Sequence, residues 1–379
     1  MIGLVSPTSG MPLRQDGPNI LTDGAERWPV VDGIPFLRTG REPLVRDAVS
    51  MIDHHDVDGA LRLLLADQDD WWDGPAPGGP DLSRLVAERD RLSLREAMAL
   101  LGYGRVGDYF AHRWSDPTFM AGCALIDAHW AAPRNAFELA CGIGHYLRAL
   151  ADAQVAVAGG DVVFSKLWLA RHWVVGAEAD LVCFDAGSPW PIIARRFDLA
   201  LCQDAFYFLE PKTDVLGRLR AICEGALVIG HVHNREAKTL SAGAAMSADE
   251  VARTFPDALV YDDDELTLAT VEARVPVPRP PASMRQVEAF SLVERAGAPR
   301  APDGPLGAPK PDRRYRRNPL YRAVEPGMRA QIVWPSERYG AEYGPRSTYP
   351  HQTDLPERPT DWTTEQVRRR EVVALPERW

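Results

Sequence analysis

Residues 136–147, Ala136-Phe137-Glu138-Leu139-Ala140-Cys141-Gly142-Ile143-Gly144-His145-Tyr146-Leu147, decide the reading of the fold. An apolar run breaks at a glycine-bearing turn and then takes on helical spacing, which is the pattern of a strand, a tight corner and a helix. In a doubly wound sheet such a corner lets backbone approach a ligand at a helix N-terminus. The alternative is a tight corner and nothing more. A dinucleotide fingerprint would continue with a small residue three positions after Gly144, where this chain has Leu147, and that weighs against a dinucleotide.

Outward from this corner, apolar runs at 155–159, 180–184, 197–201, 226–230 and 266–271 alternate with helical segments. Several lack polar alternation, as strands covered on both faces should. Residues 116–275 therefore read as an α/β unit with a Rossmann-like, doubly wound sheet. Residues 1–42 read as a small β unit, with Asp-Gly turns at 23–24 and 32–33. Residues 43–115 carry helical periodicity, and His54-His55-Asp56 falls at a turn between two helical patterns. Residues 276–379 hold 17 of the 32 prolines together with tyrosine and tryptophan clusters. They predict an extended arm that packs back on the core, because disordered tails are poor in aromatics.

Bulk properties narrow the function classes. At 379 residues, 45% hydrophobic and 25% charged, the chain is of ordinary globular composition and long enough for more than one unit. No run approaches the roughly 18 apolar residues of a membrane span, and no secretory signal is evident, so a cytoplasmic protein without membrane partners is expected. The net charge of −10 is uneven. Residues 276–379 hold 18 Lys+Arg and 13 Asp+Glu, leaving 25 and 40 of the chain's 43 and 53 for the rest. An acidic body repels polyanions, so nucleic acid is not an expected partner. The five cysteines lack metal-ligand spacing and read as buried free thiols.

Two acids end neighbouring strands. Asp161 follows Gly159-Gly160 about 20 residues past the corner, where a carboxylate can accept both hydrogens of a ribose diol. Alone it suits NAD or S-adenosylmethionine equally. The third run, Leu181-Val182-Cys183-Phe184-Asp185-Ala186, adds a carboxylate suited to an adenine amino group.

The series Glu138-x-Ala140-x-Gly142-x-Gly144, Asp161, Asp185-Ala186 and 197–204, ending in Cys202-Gln203-Asp204, resembles the class I S-adenosylmethionine-dependent methyltransferases in order and spacing across residues 116–275. The resemblance implies S-adenosylmethionine as cofactor. Gly142 and Gly144, with Ala140 at the turn, would pass under the methionine part, and Glu138 would support the loop. Asp161 would hold the ribose, Asp185 and Ala186 the adenine, and Gln203 would close the pocket beside the sulfonium. Ala140 departs from the family's usual first glycine. Phe208 stands where many small-molecule methyltransferases carry histidine, so a general base must come from elsewhere. His231 and His233 after the fifth run, and Asp204 or Tyr207 after the fourth, are the candidates. His-x-His is also a metal-pair spacing, but no third ligand is in view and no metal is expected.

The ends carry weaker patterns. Ser6-Pro7-Thr8-Ser9 with Trp28-Pro29-Val30-Val31-Asp32-Gly33 resembles the zinc-ribbon family that includes the activator subunit of RNA and protein methyltransferases. Serines occupy the first ligand pair and no thiols stand near Leu21 and Gly24, so a degenerate, metal-free ribbon is expected. Asn318-Pro319-Leu320-Tyr321 reads as a proline turn, and Arg313-Arg314-Tyr315-Arg316-Arg317 as a basic turn or an anion contact. The function expected is methyl transfer to a small-molecule acceptor, enclosed by residues 90–130, with Tyr109, Arg113 and Trp114 among them, and by the arm. The alternatives are a protein or RNA methyltransferase and a non-catalytic binding protein; oligomeric state is not legible.

Overall fold

The computed structural model describes residues 3–192, 196–237, 243–310, 313–322, 331–347 and 361–379. Its main sheet has seven strands: β1 (Asn135–Leu139), β2 (Ala156–Asp161), β3 (Asp180–Cys183), β4 (Phe197–Gln203), β5 (Cys223–His233), β6 (Leu259–Asp262) and β7 (Ala289–Glu294). They lie in the order β6-β7-β5-β4-β1-β2-β3. The five from β5 to β3 are parallel, and β7 runs antiparallel between β5 and β6. Helices flank the sheet, which makes a Rossmann-like, doubly wound arrangement. The strand order reverses between β1 and β4, and in open α/β sheets the crevice at that switch point is where ligands bind.

The first five strands fall where their apolar runs predict them. The run at 266–271 does not form a strand: it lies in the helix Asp263–Glu272. Asp262 caps that helix by accepting the Asp264 amide at 3.1 Å, and Asp263, Asp264 and Glu265 fill its first turn, where carboxylates offset the positive end of the helix dipole. That local chemistry outweighs the strand propensity of a β-branched run. The sheet also continues past residue 275, because β7 lies beyond the proline-rich stretch 276–281.

Helix Pro117–Ala128 is buried along its whole length, packed between the sheet and helix Asp263–Glu272. It starts at Asp116, whose side chain accepts the Phe119 amide at 2.9 Å. All five cysteines are buried and free, as the sequence suggests. Among the described residues no helix is long and apolar enough to cross a membrane.

The N-terminal unit is a four-stranded antiparallel sheet of Arg14–Gln15, Ile20–Thr22, Arg27–Val31 and Ile34–Pro35. Where a ribbon would hold metal, hydroxyls meet carboxylates: Ser9 Oγ donates to Asp23 at 2.6 Å, and Thr8 Oγ1 donates to Glu26. The unit then covers the free edge of β3, since Phe36 pairs with Cys183 and the Leu37 amide donates to the Cys183 carbonyl at 2.8 Å. Covering an edge in this way removes a template for intermolecular pairing.

The C-terminal segment packs back on the core. Arg148 donates to the carbonyls of Ala374 and Leu375 at 2.6 and 3.2 Å, and the Trp379 indole donates to Ala111 at 2.7 Å. Asn318 is a buried turn residue bonded to the Arg370 carbonyl at 2.8 Å. Arg313 pairs with Asp152 and Arg316–Arg317 pair as a strand with Val372–Val373. Three of the four arginines in the basic run, Arg313, Arg316 and Arg317, are thus held in structural contacts.

Candidate functional site

The predicted cofactor residues gather at the carboxyl ends of β1 to β4. The corner after β1 is built from left-handed backbone: Ala140 has φ +53°, Gly142 +54° and Gly144 +83°. At Gly144 a side chain is excluded twice, because a Cβ would also lie 2.5 Å from Val175 Cγ2. Asp161, buried at the end of β2, ties the corner down. Its Oδ2 accepts the Gly142 amide and its Oδ1 the Val163 amide, both at 2.9 Å, with Lys166 Nζ 3.9 Å from Oδ1. A carboxylate offers about four acceptor positions, so two backbone donors leave two for a diol.

Asp185, half-buried after β3, accepts the Gly187 amide at 2.8 Å. With Gly187, Phe208, Leu209 and Trp71 it lines a cavity of about 370 Å³. Trp71 is 59% exposed and its ring stands 5.3 Å from Phe208. No local pattern points to Trp71, which reaches the cavity from the loop after helix Val57–Leu65. Phe208, at the usual histidine position, is an apolar wall. The cavity reaches Asp185 and not Gly142 or Gly144.

Beneath the corner, Glu138 and Gln203 lie on one face of adjacent strands, since Glu138 pairs with Leu201, two residues before Gln203. Both are buried, and Glu138 Oε2 and Gln203 Nε2 have no hydrogen-bond partner. Burial pushes the Glu138 carboxyl well above the usual range, against the Leu147 amide bonded to it. Gly230 makes room for Gln203, because a Cβ there would sit 1.7 Å from Gln203 Oε1. Buried polar atoms without partners are rare in native proteins and ask for a ligand.

The four candidates for acid–base work meet in one cluster beyond Gln203. Asp204 and His231 end the β4 and β5 ladder with φ of +51° and +55°. Such backbone costs on the order of 1–3 kcal/mol and concentrates at functional sites. Asp204 accepts hydrogen bonds from Tyr109, from Arg113 and from Tyr207, the last at 2.8 Å. Burial alone would raise its carboxyl, but Arg113, the two histidines and Tyr109 hold it well below the usual carboxylate range. Asp204 is therefore an anionic anchor for the helix Gly104–His112 and its following turn, and a weak base.

His231 is fixed by a second carboxylate. Its Nδ1 lies 2.6 Å from Asp263 Oδ2, and Ser291 Oγ both accepts the His231 amide at 2.9 Å and donates to Asp263 at 2.5 Å. Burial disfavours the His231 cation, yet Asp204 and Asp263 raise its pKa. His233 is the opposite case: burial, with His231 alongside, pushes it down to about 3, and its ring centroid is 4.5 Å from that of Tyr207. Asp204, His231 and His233 each bring one possible ligand atom within 4.8 Å of the others.

Of the three enclosing residues expected, Tyr109 and Arg113 bond to Asp204, whereas Trp114 packs on His145, ring centroids 4.3 Å apart. The arm closes the roof. Tyr339 donates to Asp116 at 3.2 Å, Tyr343 faces Tyr109, and Arg346 reaches Glu288 at 2.7 Å and Asp263 at 3.8 Å. Asp263, Ser291 and Arg346 have no local sequence signal, because each joins the site from 28 or more residues away.

No protein-family model and no curated protein matches the chain. Among solved structures it is similar to the CcbJ methyltransferase of Streptomyces caelestis, at 14% identity over 48% of this chain and 96% of that one, TM-score 0.38. It is also similar to a TehB-like SAM-dependent methyltransferase of Corynebacterium glutamicum, at 16% over 47% and 88%, TM-score 0.35. A third similar structure is the plantazolicin methyltransferase BpumL in complex with SAH, at 13% over 65% and 100%, TM-score 0.37.

Proposed function

We propose that this chain is an S-adenosylmethionine-dependent methyltransferase acting on a small-molecule acceptor. The observation that carries the reading is the pair of orphaned buried atoms, Glu138 Oε2 and Gln203 Nε2, directly under a left-handed corner that Asp161 holds in place. A carboxyl raised by burial is returned to its ionised form by a cationic donor, and an α-ammonium group is one. Asp161 would then hold the ribose, Asp185 the adenine, with Ala186 in its wall, and Trp71 and Phe208 would flank the base. When bound, S-adenosylmethionine supplies an electrophilic methyl group on its sulfonium.

The chain's own residues orient the acceptor. The cluster of Asp204, Tyr207, His231 and His233 lies just past Gln203 under a cover of Tyr109, Arg113, Tyr343 and Arg346, and a polar cluster buried in this way favours a small acceptor over a macromolecule. Alignment of donor and acceptor contributes roughly 7–11 kcal/mol in favourable cases. In keeping with this reading, residues 1–42 are a ribbon-like unit whose metal staple is replaced by the Ser9–Asp23 and Thr8–Glu26 bonds. Residues 43–115 and the chain beyond β7 then enclose an α/β unit that runs from 116 to the end of β7 at Glu294.

The test is transfer of label from S-adenosylmethionine in the presence of a metabolite pool, total protein or RNA. Label in the small-molecule fraction is expected. Label confined to protein or RNA would move the chain to macromolecular substrates, and binding without transfer would make it a non-catalytic binding protein.

A further inference from the structure

Asp204, His231 and His233 present one carboxylate oxygen and two ring nitrogens that all lie within 4.8 Å of one another. We propose that these three residues bind a first-row transition-metal dication. Two imidazoles and one carboxylate form a three-ligand set that leaves coordination positions open, and such a set selects zinc, iron, cobalt or nickel over magnesium or calcium.

Three further observations support the site. His231 is 2% exposed, and its Nε2 has no hydrogen-bond partner and stands 3.8 Å from Asp204 Oδ1. The other ring nitrogen is held by Asp263, the carboxylate partner that orients and strengthens a metal-bound imidazole. Arg113 takes Asp204 Oδ2 and leaves Oδ1 towards the histidines. Charge agrees as well. Asp116, Asp204, Asp263 and Glu288 surround Arg113 and Arg346, and this excess of acid over guanidinium favours a cation at the site. Tyr207 Oη donates to that same Asp204 Oδ1 at 2.8 Å and helps to orient it. A metal here would have coordination positions left to bind an acceptor oxygen. Its presence is independent of the methyl-transfer reading, because it is measured without S-adenosylmethionine.

The experiment is titration of chelator-treated protein with Co²⁺ alone, followed by visible absorption and calorimetry. One Co²⁺ per chain with a ligand-field spectrum is expected, displaced by Zn²⁺ and not by Mg²⁺. Asp263→Asn should weaken it by about 10- to 100-fold, as loss of an outer partner does, and His231→Gln/His233→Gln should abolish it. Uptake by wild type no greater than by that double variant would overturn the site. Should the double variant fail to fold, proton NMR of the Co²⁺-titrated wild type decides: shifted imidazole resonances from two histidines support the site, and none overturns it.

Discussion

Replacing Asp161 with asparagine separates a carboxylate that seats a ligand from one that only braces a corner. In the structure both oxygens are in use: Oδ2 accepts Gly142 N and Oδ1 accepts Val163 N, each at 2.9 Å. An amide nitrogen cannot accept, so Asp161→Asn leaves one buried backbone donor facing another donor, at a cost of about 1–3 kcal/mol in stability. The amide can likewise accept from only one ribose hydroxyl. Losing one hydrogen bond to a charged group costs about 1.5–3 kcal/mol, or about 10- to 150-fold in affinity. S-adenosylhomocysteine binding by calorimetry and urea unfolding together give both numbers. Asp185→Asn, which braces only the Gly187 amide, should lose comparable affinity with little change in stability. Asp198→Asn, at the opposite end of β4 and paired with Arg134 at 3.0 Å, should bind as wild type does. A folded Asp161→Asn protein with wild-type affinity would refute the assignment of Asp161 to the ribose.

The remaining predictions concern the corner, the anchor and acid. Gly144→Ala combines left-handed backbone at φ +83° with a 2.5 Å approach to Val175, and should cost roughly 2–4 kcal/mol in urea unfolding. Ala140→Gly relieves a left-handed alanine and should gain up to about 1 kcal/mol. Arg113→Met strips the buried partner from Asp204 and Asp116 and should cost about 3–5 kcal/mol; adding Asp204→Asn should recover part of it, and simple additivity would contradict the pairing. Burial pushes His145 down to about 3 from an unfolded value of 6.5, so its contribution is whole above pH 6.5 and is lost as pH falls towards the folded value. Asp127 and Asp262, raised by burial to about 6, act in the opposite sense over the same range. The His145 share is therefore read as the difference between wild type and His145→Asn, which should change by roughly 2 kcal/mol between pH 7.5 and 5; a constant difference would count against a buried neutral imidazole.

What the sequence made legible was local. β1 to β5 are apolar runs covered on both faces, and the glycine corner and the acids at the ends of β2 and β3 sit within a few residues of the strands that place them. The sixth run misled because Leu266 to Val271 have strand-like composition, while the capping acids at 262–265 set the backbone helical. β7 was hidden behind the prolines of 276–281, which signal a break in regular structure but not what resumes beyond it. The acid–base candidates Asp204, Tyr207, His231 and His233 do converge. Their partners were not legible, because Arg113 meets Asp204 across 91 positions and Asp263 meets His231 across 32, and no periodicity spans such distances. For the same reason the approach of Asp204 to His231 and His233 within 4.8 Å could not be read from spacing.

The central claim is that the carboxyl ends of β1 to β4 seat an adenosyl sulfonium. Calorimetric titration of the wild-type protein with S-adenosylhomocysteine tests it most directly. One saturable site per chain, accompanied by a rise in Tm, is the predicted result. Neither heat nor a change in Tm at saturating ligand would contradict the claim.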